Sequence, residues 1–238
     1  MDTITTITTH KDKFRINAVN VICAIIIICC VLIIMVGTRE TFQQVEAGGE
    51  YYNVLTSYND TSDAARLMDL TNNRVLQFLE YLKYEYNIND TAAIRTSSAL
   101  TTGGSTKGLT PVNDSQNAND VIKRVLVNYN PESFFETEPT GKNGTSYTVE
   151  KGEQLYMCLR EKDTGKLHDI NDIMFVAVHE LAHMGNATWG HGSEFWDVFR
   201  FLLKEAAAAG ILEPVDYSKT PMVYCGLSVN YNPLYDNA

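Results

Sequence analysis

The chain predicts an α+β domain set behind one apolar N-terminal segment, and three observations lead there. Short strand-like pieces sit together at Val121–Val127, Ser146–Val149 and Gln154–Leu159, ahead of two helical patterns, rather than alternating with helices one by one. Val75, Phe78, Leu79, Leu82 and Tyr86 recur at helical spacing and place a further helix over about Ser62–Tyr86. Residues 21–37 carry no polar side chain beyond cysteine.

In chain order, residues 1–15 read as a polar N-terminal tail and residues 16–37 as a transmembrane helix, interrupted only by Asn17 and Asn20. About 20 apolar residues suffice to cross a bilayer. Lys11, Lys13 and Arg15 precede the span, whereas Arg39 behind it is balanced by Glu40, which predicts a cytosolic N-terminus. A catalytic domain on the lumenal or exterior side, or in an equivalent compartment such as a virion, follows from that topology. A cleaved signal peptide is the rival reading, with Val45-x-Ala47 resembling a cleavage site far beyond the apolar run. Residues 38–60 read as a polar juxtamembrane stalk, and residues 61–238 as one domain.

Inside that domain, residues 91–119 are rich in Thr, Ser, Gly and Asn and predict a mobile loop. Lys151-Gly152 supplies a turn that makes Ser146–Val149 and Gln154–Leu159 a hairpin, with Leu155–Leu159 as the candidate edge strand for substrate. Ile173–Val178 is an apolar run that suits a buried helix. A second helix spans Ser193–Ala209 and stops at Gly210, a C-cap; its Phe195, Trp196, Phe199, Leu202 and Leu203 read as core.

The chemistry is concentrated in Val178-His179-Glu180-Leu181-Ala182-His183, followed by His191. Residues four apart on a helix share a face, so His179 and His183 can aim nitrogens at one point, about 2.0–2.1 Å from a zinc ion. Glu180 lies one step round the helix, where a general base for a metal-activated water is needed. A catalytic zinc takes three protein ligands and keeps one open position. His191, between Gly190 and Gly192, is the candidate third ligand; Glu194 and Glu205 are its rivals, with Glu205 read as a solvated residue.

At these residues, His179-Glu180-Leu181-Ala182-His183 and His191-Gly192-x-x-Phe195-Trp196, the chain resembles the WLM and SprT-like zincin metallopeptidases, over roughly residues 145–226. The resemblance implies a compact zincin-like fold of a small sheet, an active-site helix and a following helix. It also implies a Zn2+ cofactor held by His179, His183 and His191, with Glu180 as catalytic base. Several members of that family act on proteins bound to DNA.

Charge argues against carrying over a nucleic-acid partner. The chain is −10 overall and its first fifteen residues carry +1, leaving −11 for the remainder. Such a domain repels phosphate backbones. Cys23, Cys29 and Cys30 fall in the apolar segment, leaving Cys158 and Cys225 as a candidate disulfide or as two buried thiols. Sequons begin at Asn59, Asn89, Asn113, Asn143 and Asn186, the last between the second and third predicted ligands. Tyr217 and Tyr224 are candidate hydrogen-bond donors to an oxyanion, with packing as their commoner role.

The expected protein is a membrane-anchored zinc endopeptidase whose partners are a protein or peptide substrate and a lipid bilayer. Its alternatives are a catalytically silent, membrane-tethered zinc-binding protein and a zinc hydrolase of a non-protein amide. Nothing in the sequence sets an oligomeric state.

Overall fold

The structure is a computed structural model that describes residues 20–30, 42–88, 110–139 and 145–236. Residues 20–30 form helix α1. Among the described residues no helix is long and apolar enough to cross a membrane. The eleven residues of α1 rise about 16 Å, roughly half of the hydrocarbon thickness of a bilayer. The spanning helix over 16–37, and with it the single-pass localisation and the lumenal or exterior placement of the domain, is therefore overturned. The flanks of that stretch, and the tail 1–15, lie outside the described residues.

Residues 41–238 form one compact unit. Its first elements correct the stalk expected over 38–60. Strands β1 (Phe42–Ala47) and β2 (Glu50–Leu55) make an antiparallel hairpin around Gly48-Gly49. Tyr52, Val54 and Leu55 are buried in it, whereas Gln44 and Glu46 of β1 alternate onto the opposite, solvated face.

Helix α2 (Thr61–Glu85) follows. Its buried stripe runs Ala64, Ala65, Met68, Val75, Phe78, Leu79 and Leu82, and packs against the β1–β2 hairpin and α4. Helix α3 (Ala118–Asn128) replaces the strand expected at Val121–Val127. Asn117 caps it by accepting from the Asp120 N–H, and Ala118, Val121, Ile122 and Val125 bury one helical face. Packing has overridden the strand preference of its β-branched residues. Most of the loop expected at 91–119 lies outside the described residues.

Strands β3 (Phe134–Thr137), β4 (Tyr147–Val149) and β5 (Gln154–Cys158) complete a mixed sheet of order β1-β2-β3-β5-β4. β3 is parallel to β2 and to β5, whereas β4 and β5 form the antiparallel hairpin expected from the Lys151-Gly152 turn. β5 is therefore interior, and the edge facing away from it belongs to β4. This corrects the edge strand expected at Leu155–Leu159.

Helices α4 (Ile170–Gly185) and α5 (Ser193–Ala208) pack on each other. Gly210 takes φ +69° just beyond α5, as a helix-terminating glycine does. The chain closes with the β6 (Met222–Tyr224) and β7 (Leu227–Val229) hairpin.

Arg160, beyond β5, ties these parts together. It is 1% exposed and bonds Glu136 of β3 at 2.7 Å and Asp60, the residue before α2, at 2.8 Å. Glu136 in turn accepts the Leu55 N–H of β2.

Candidate metal centre and active site

Helix α4 starts where Asp169 accepts the Asn171 N–H and is buried almost all round, as its apolar run requires. Near its end Gly185 meets α3: a Cβ there would stand 2.8 Å from Val125 Cγ2, so no larger residue fits without movement. Its last carbonyls, which have no partner within the helix, are taken by side chains. Asn128 donates to Met184 O, Arg124 to Gly185 O and Lys151 to His183 O. Two cations thus stand at the negative end of the helix dipole.

His179 and His183 lie one turn apart on this helix, and the loop after it returns His191 to them. Gly190 takes φ +80° in that loop and needs glycine's freedom. Gly192 does not; it caps α5 at φ −66° with open space around it. The three Nε2 atoms form a nearly equilateral triangle of 3.2, 3.1 and 3.1 Å. A neutral imidazole has one N–H, so three such nitrogens facing one point cannot satisfy each other by hydrogen bonding. Nitrogens about 2.0–2.1 Å from a tetrahedral zinc stand roughly 3.3 Å apart, so the triangle fits that ion.

Burial holds His179 down at about 3 and His183 at about 4, and lowers His191 as well. All three are therefore neutral near pH 7, the state that ligates metal. The Phe195 ring of α5 contacts all three imidazoles at centroid distances of 4.4–4.9 Å and closes the floor beneath them. Glu194 and Glu205 stay outside this cluster. Glu194 braces the loop through Ser115 and Thr188. Glu205 is buried against Tyr81 rather than solvated, which corrects its expected exposure.

Glu180 is 3% exposed and its Oε2 has no partner among the described residues. Burial pushes its carboxyl up to about 8, against the Thr148 backbone N–H of β4, which pulls it down by hydrogen bonding. An orphaned carboxylate oxygen beside three converging imidazoles is arranged to exchange a proton with something bound between them.

Two lobes, each of about 370 Å³, open from the triad and share His179, Glu180 and His191. One runs along β4 past Thr148, Lys151 and Trp189. The other is walled by Phe175, Val176, Trp196, Phe199, Tyr224 and the β6–β7 hairpin. Trp196 and Phe199, expected only as core, line this cavity.

Tyr224 forms part of the wall, but its hydroxyl bonds the Cys158 carbonyl at 2.5 Å and Ser146 Oγ at 3.1 Å. Tyr217 is engaged elsewhere, bonding Asp172 in the first turn of α4 at 3.2 Å. Cys158 and Cys225 are joined by a disulfide that fastens the β6–β7 hairpin to β5. His168 stacks on Tyr224 and accepts the Cys225 N–H. The Asn186 side chain is buried, bonding Gln116 and Thr188, which closes that sequon to a glycan. Lys151 and Thr148 escaped the sequence reading, because a backbone N–H and a lysine that binds carbonyls leave no motif.

No family model and no solved structure matches the chain. An uncharacterised protein of Acanthamoeba polyphaga mimivirus is 41% identical over 98 residues, covering 41% of this chain and 49% of that protein. An uncharacterised protein of Invertebrate iridescent virus 3 is 36% identical over 84 residues, covering 34% of this chain and 50% of that protein. The DNA-dependent metalloprotease WSS1 homolog 2 of Schizosaccharomyces pombe is 32% identical over 87 residues, 37% of this chain and 28% of that protein. The chain thus spans half or less of the length of these relatives. The histidine triad and this distant, partial likeness are compatible with a metallopeptidase.

Proposed function

We propose that the chain is a zinc-dependent endopeptidase acting on extended peptide segments. The observation that carries the reading is the pairing of a metal-sized triangle of neutral imidazoles with the partnerless Oε2 of Glu180 in one cleft. His179, His183 and His191 would hold a zinc ion, whose Lewis acidity would make water nucleophilic near neutral pH.

The protein's own residues supply the rest. Glu180 receives the water proton on Oε2 and returns it to the leaving amine, a transfer suited to a carboxyl raised by burial. The outer edge of β4 offers main-chain groups to an extended peptide. The aromatic cavity beyond Glu180 takes an apolar side chain next to the scissile bond. The Phe195 floor excludes water from beneath the imidazoles.

The metalloprotease part of the fission-yeast relative's name supports this reading. Its DNA dependence is not carried over, because a chain of net charge −10 repels phosphate backbones. Incubating the full chain with a peptide library tests the proposal. Cleavage should be lost on chelation and restored by zinc; a library left intact by zinc-loaded protein would refute it.

A further inference from the structure

Lys151 stands at the tip of the β4–β5 turn, in the lobe that runs along β4. Its ammonium donates to three carbonyls: Asn186 at 2.5 Å, Thr188 at 2.9 Å and His183 at 3.5 Å. It also lies 5.0 Å from the centre of the Trp189 ring. These partners belong to the end of α4 and to the loop that carries His191. We propose that Lys151 is a positioning residue for the metal. It fastens the His191 loop to the helix that carries His179 and His183, and so sets how tightly the three imidazoles hold an ion.

Three features beyond the bonds support this. Residues 186–192 have no helical or strand ladder to fix them, so side chains must do it. An ammonium has three donors, and they are engaged by one carbonyl of α4 and two of this loop. The turn itself is wedged in place: a Cβ on Gly152 would lie 2.3 Å from Asn128 O and 3.1 Å from Met184 Sδ. Glu150 and Lys151 hold left-handed φ of 45° and 57°, and such outliers persist only where the surroundings over-determine them. Among the described residues, the bonded partners of Lys151 are carbonyls and not a carboxylate, so it is not half of a surface ion pair.

Electrostatics alone predicts the opposite sign. A cation beside His183 opposes a second cation on the imidazoles, so its removal would tighten metal binding. Positioning predicts looser binding.

The inference rests on the metal-site reading, and the experiment separates the two. Zn2+ dissociation constants from chelator competition, and Co2+ absorption spectra, are measured on full-length wild type, Lys151→Met, Lys151→Arg and His191→Ala. Lys151→Met should bind Zn2+ about 10- to 100-fold more weakly, the range for outer residues that orient ligands. Its Co2+ spectrum should move toward that of His191→Ala, with Lys151→Arg intermediate in both. Unchanged or tighter binding in Lys151→Met overturns the role. Should Lys151→Met fail to fold, Lys151→Arg decides, and wild-type affinity with a wild-type Co2+ spectrum there overturns it. Undiminished binding in His191→Ala defeats the metal-site reading itself. Weakened binding in His191→Ala with none in Lys151→Met defeats the Lys151 role alone.

Discussion

Thr148, on the edge strand, lines the same lobe as Glu180, the residue that follows the first histidine on α4, and its backbone N–H pulls the Glu180 pKa down. The sheet edge that would pair with a peptide and the group that would move the proton are thereby held together.

Removing that donor should show in the pH profile. The Thr148 N–H lowers the Glu180 pKa, so Thr148→Pro, which deletes it, should raise that value and shrink the ionised fraction near neutrality. Proline is tolerated on an edge strand where its missing N–H faces outward. The acidic limb of the kcat/KM profile should move to higher pH, with bound zinc unchanged. An unmoved limb contradicts the assignment of Glu180 as base.

The Arg160–Glu136 pair is buried on both sides, at 1% and 0% side-chain exposure. Removing Arg160 leaves the buried Glu136 carboxylate without a cation, which costs about 3–5 kcal/mol. Arg160→Ala should accordingly lower the urea midpoint sharply, whereas Arg66→Ala, in an exposed pair with Asp63, should shift it little. Equal small shifts would mean that the buried network contributes no more than the surface one.

Cys158 and Cys225 lie 67 residues apart. Closing a loop of that length stabilises the fold by about 4 kcal/mol in the chain-entropy model. Cys225→Ser should lower stability by that order. It should also loosen the β6–β7 wall and weaken discrimination between apolar and polar side chains at the cleavage site. Retained stability in the variant, with thiol reagents finding two free cysteines in the wild-type domain, would count against the crosslink.

His168 gives a second pH dependence. Its half-buried ring accepts the Cys225 N–H, and this partial burial holds its pKa below the ordinary 6.5. The unfolded chain therefore binds the proton more readily. The His168 contribution is complete above pH 6.5 and is lost as pH falls through the folded value. Between pH 7.5 and 5, the melting temperature of metal-free wild type should drop further than that of metal-free His168→Gln. Parallel drops would show that His168 does not titrate on unfolding.

Helices α2 and α5 were legible in the sequence because buried residues recur at helical spacing, from Val75 to Leu82 and from Phe195 to Leu203, and α4 because Ile173–Val178 is one apolar run. The histidines were legible because helical geometry brings His179 and His183 together, and a glycine next to His191 lets the chain return. α3 was not, since Val121, Ile122, Val125 and Val127 favour strands locally and only packing against α4 decides otherwise. The β1–β2 hairpin hid behind exposed polar residues on both its faces: Gln44 and Glu46 on the outer one, and Gln43 and Glu50 at the ends of the inner one. The apolar run at 21–37 suggested a membrane span by composition alone, which the short described helix does not supply. Contacts such as Thr148 to Glu180 use the backbone and arise only from tertiary placement.

Glu180→Gln, compared with wild type for bound zinc and peptide turnover on the full chain, tests the central claim most directly. The amide keeps the shape of the side chain but cannot accept the proton. Zinc content should stay equal while turnover falls by about 10²–10⁴-fold, the usual contribution of a general base. Undiminished turnover with zinc bound would contradict the proposed chemistry.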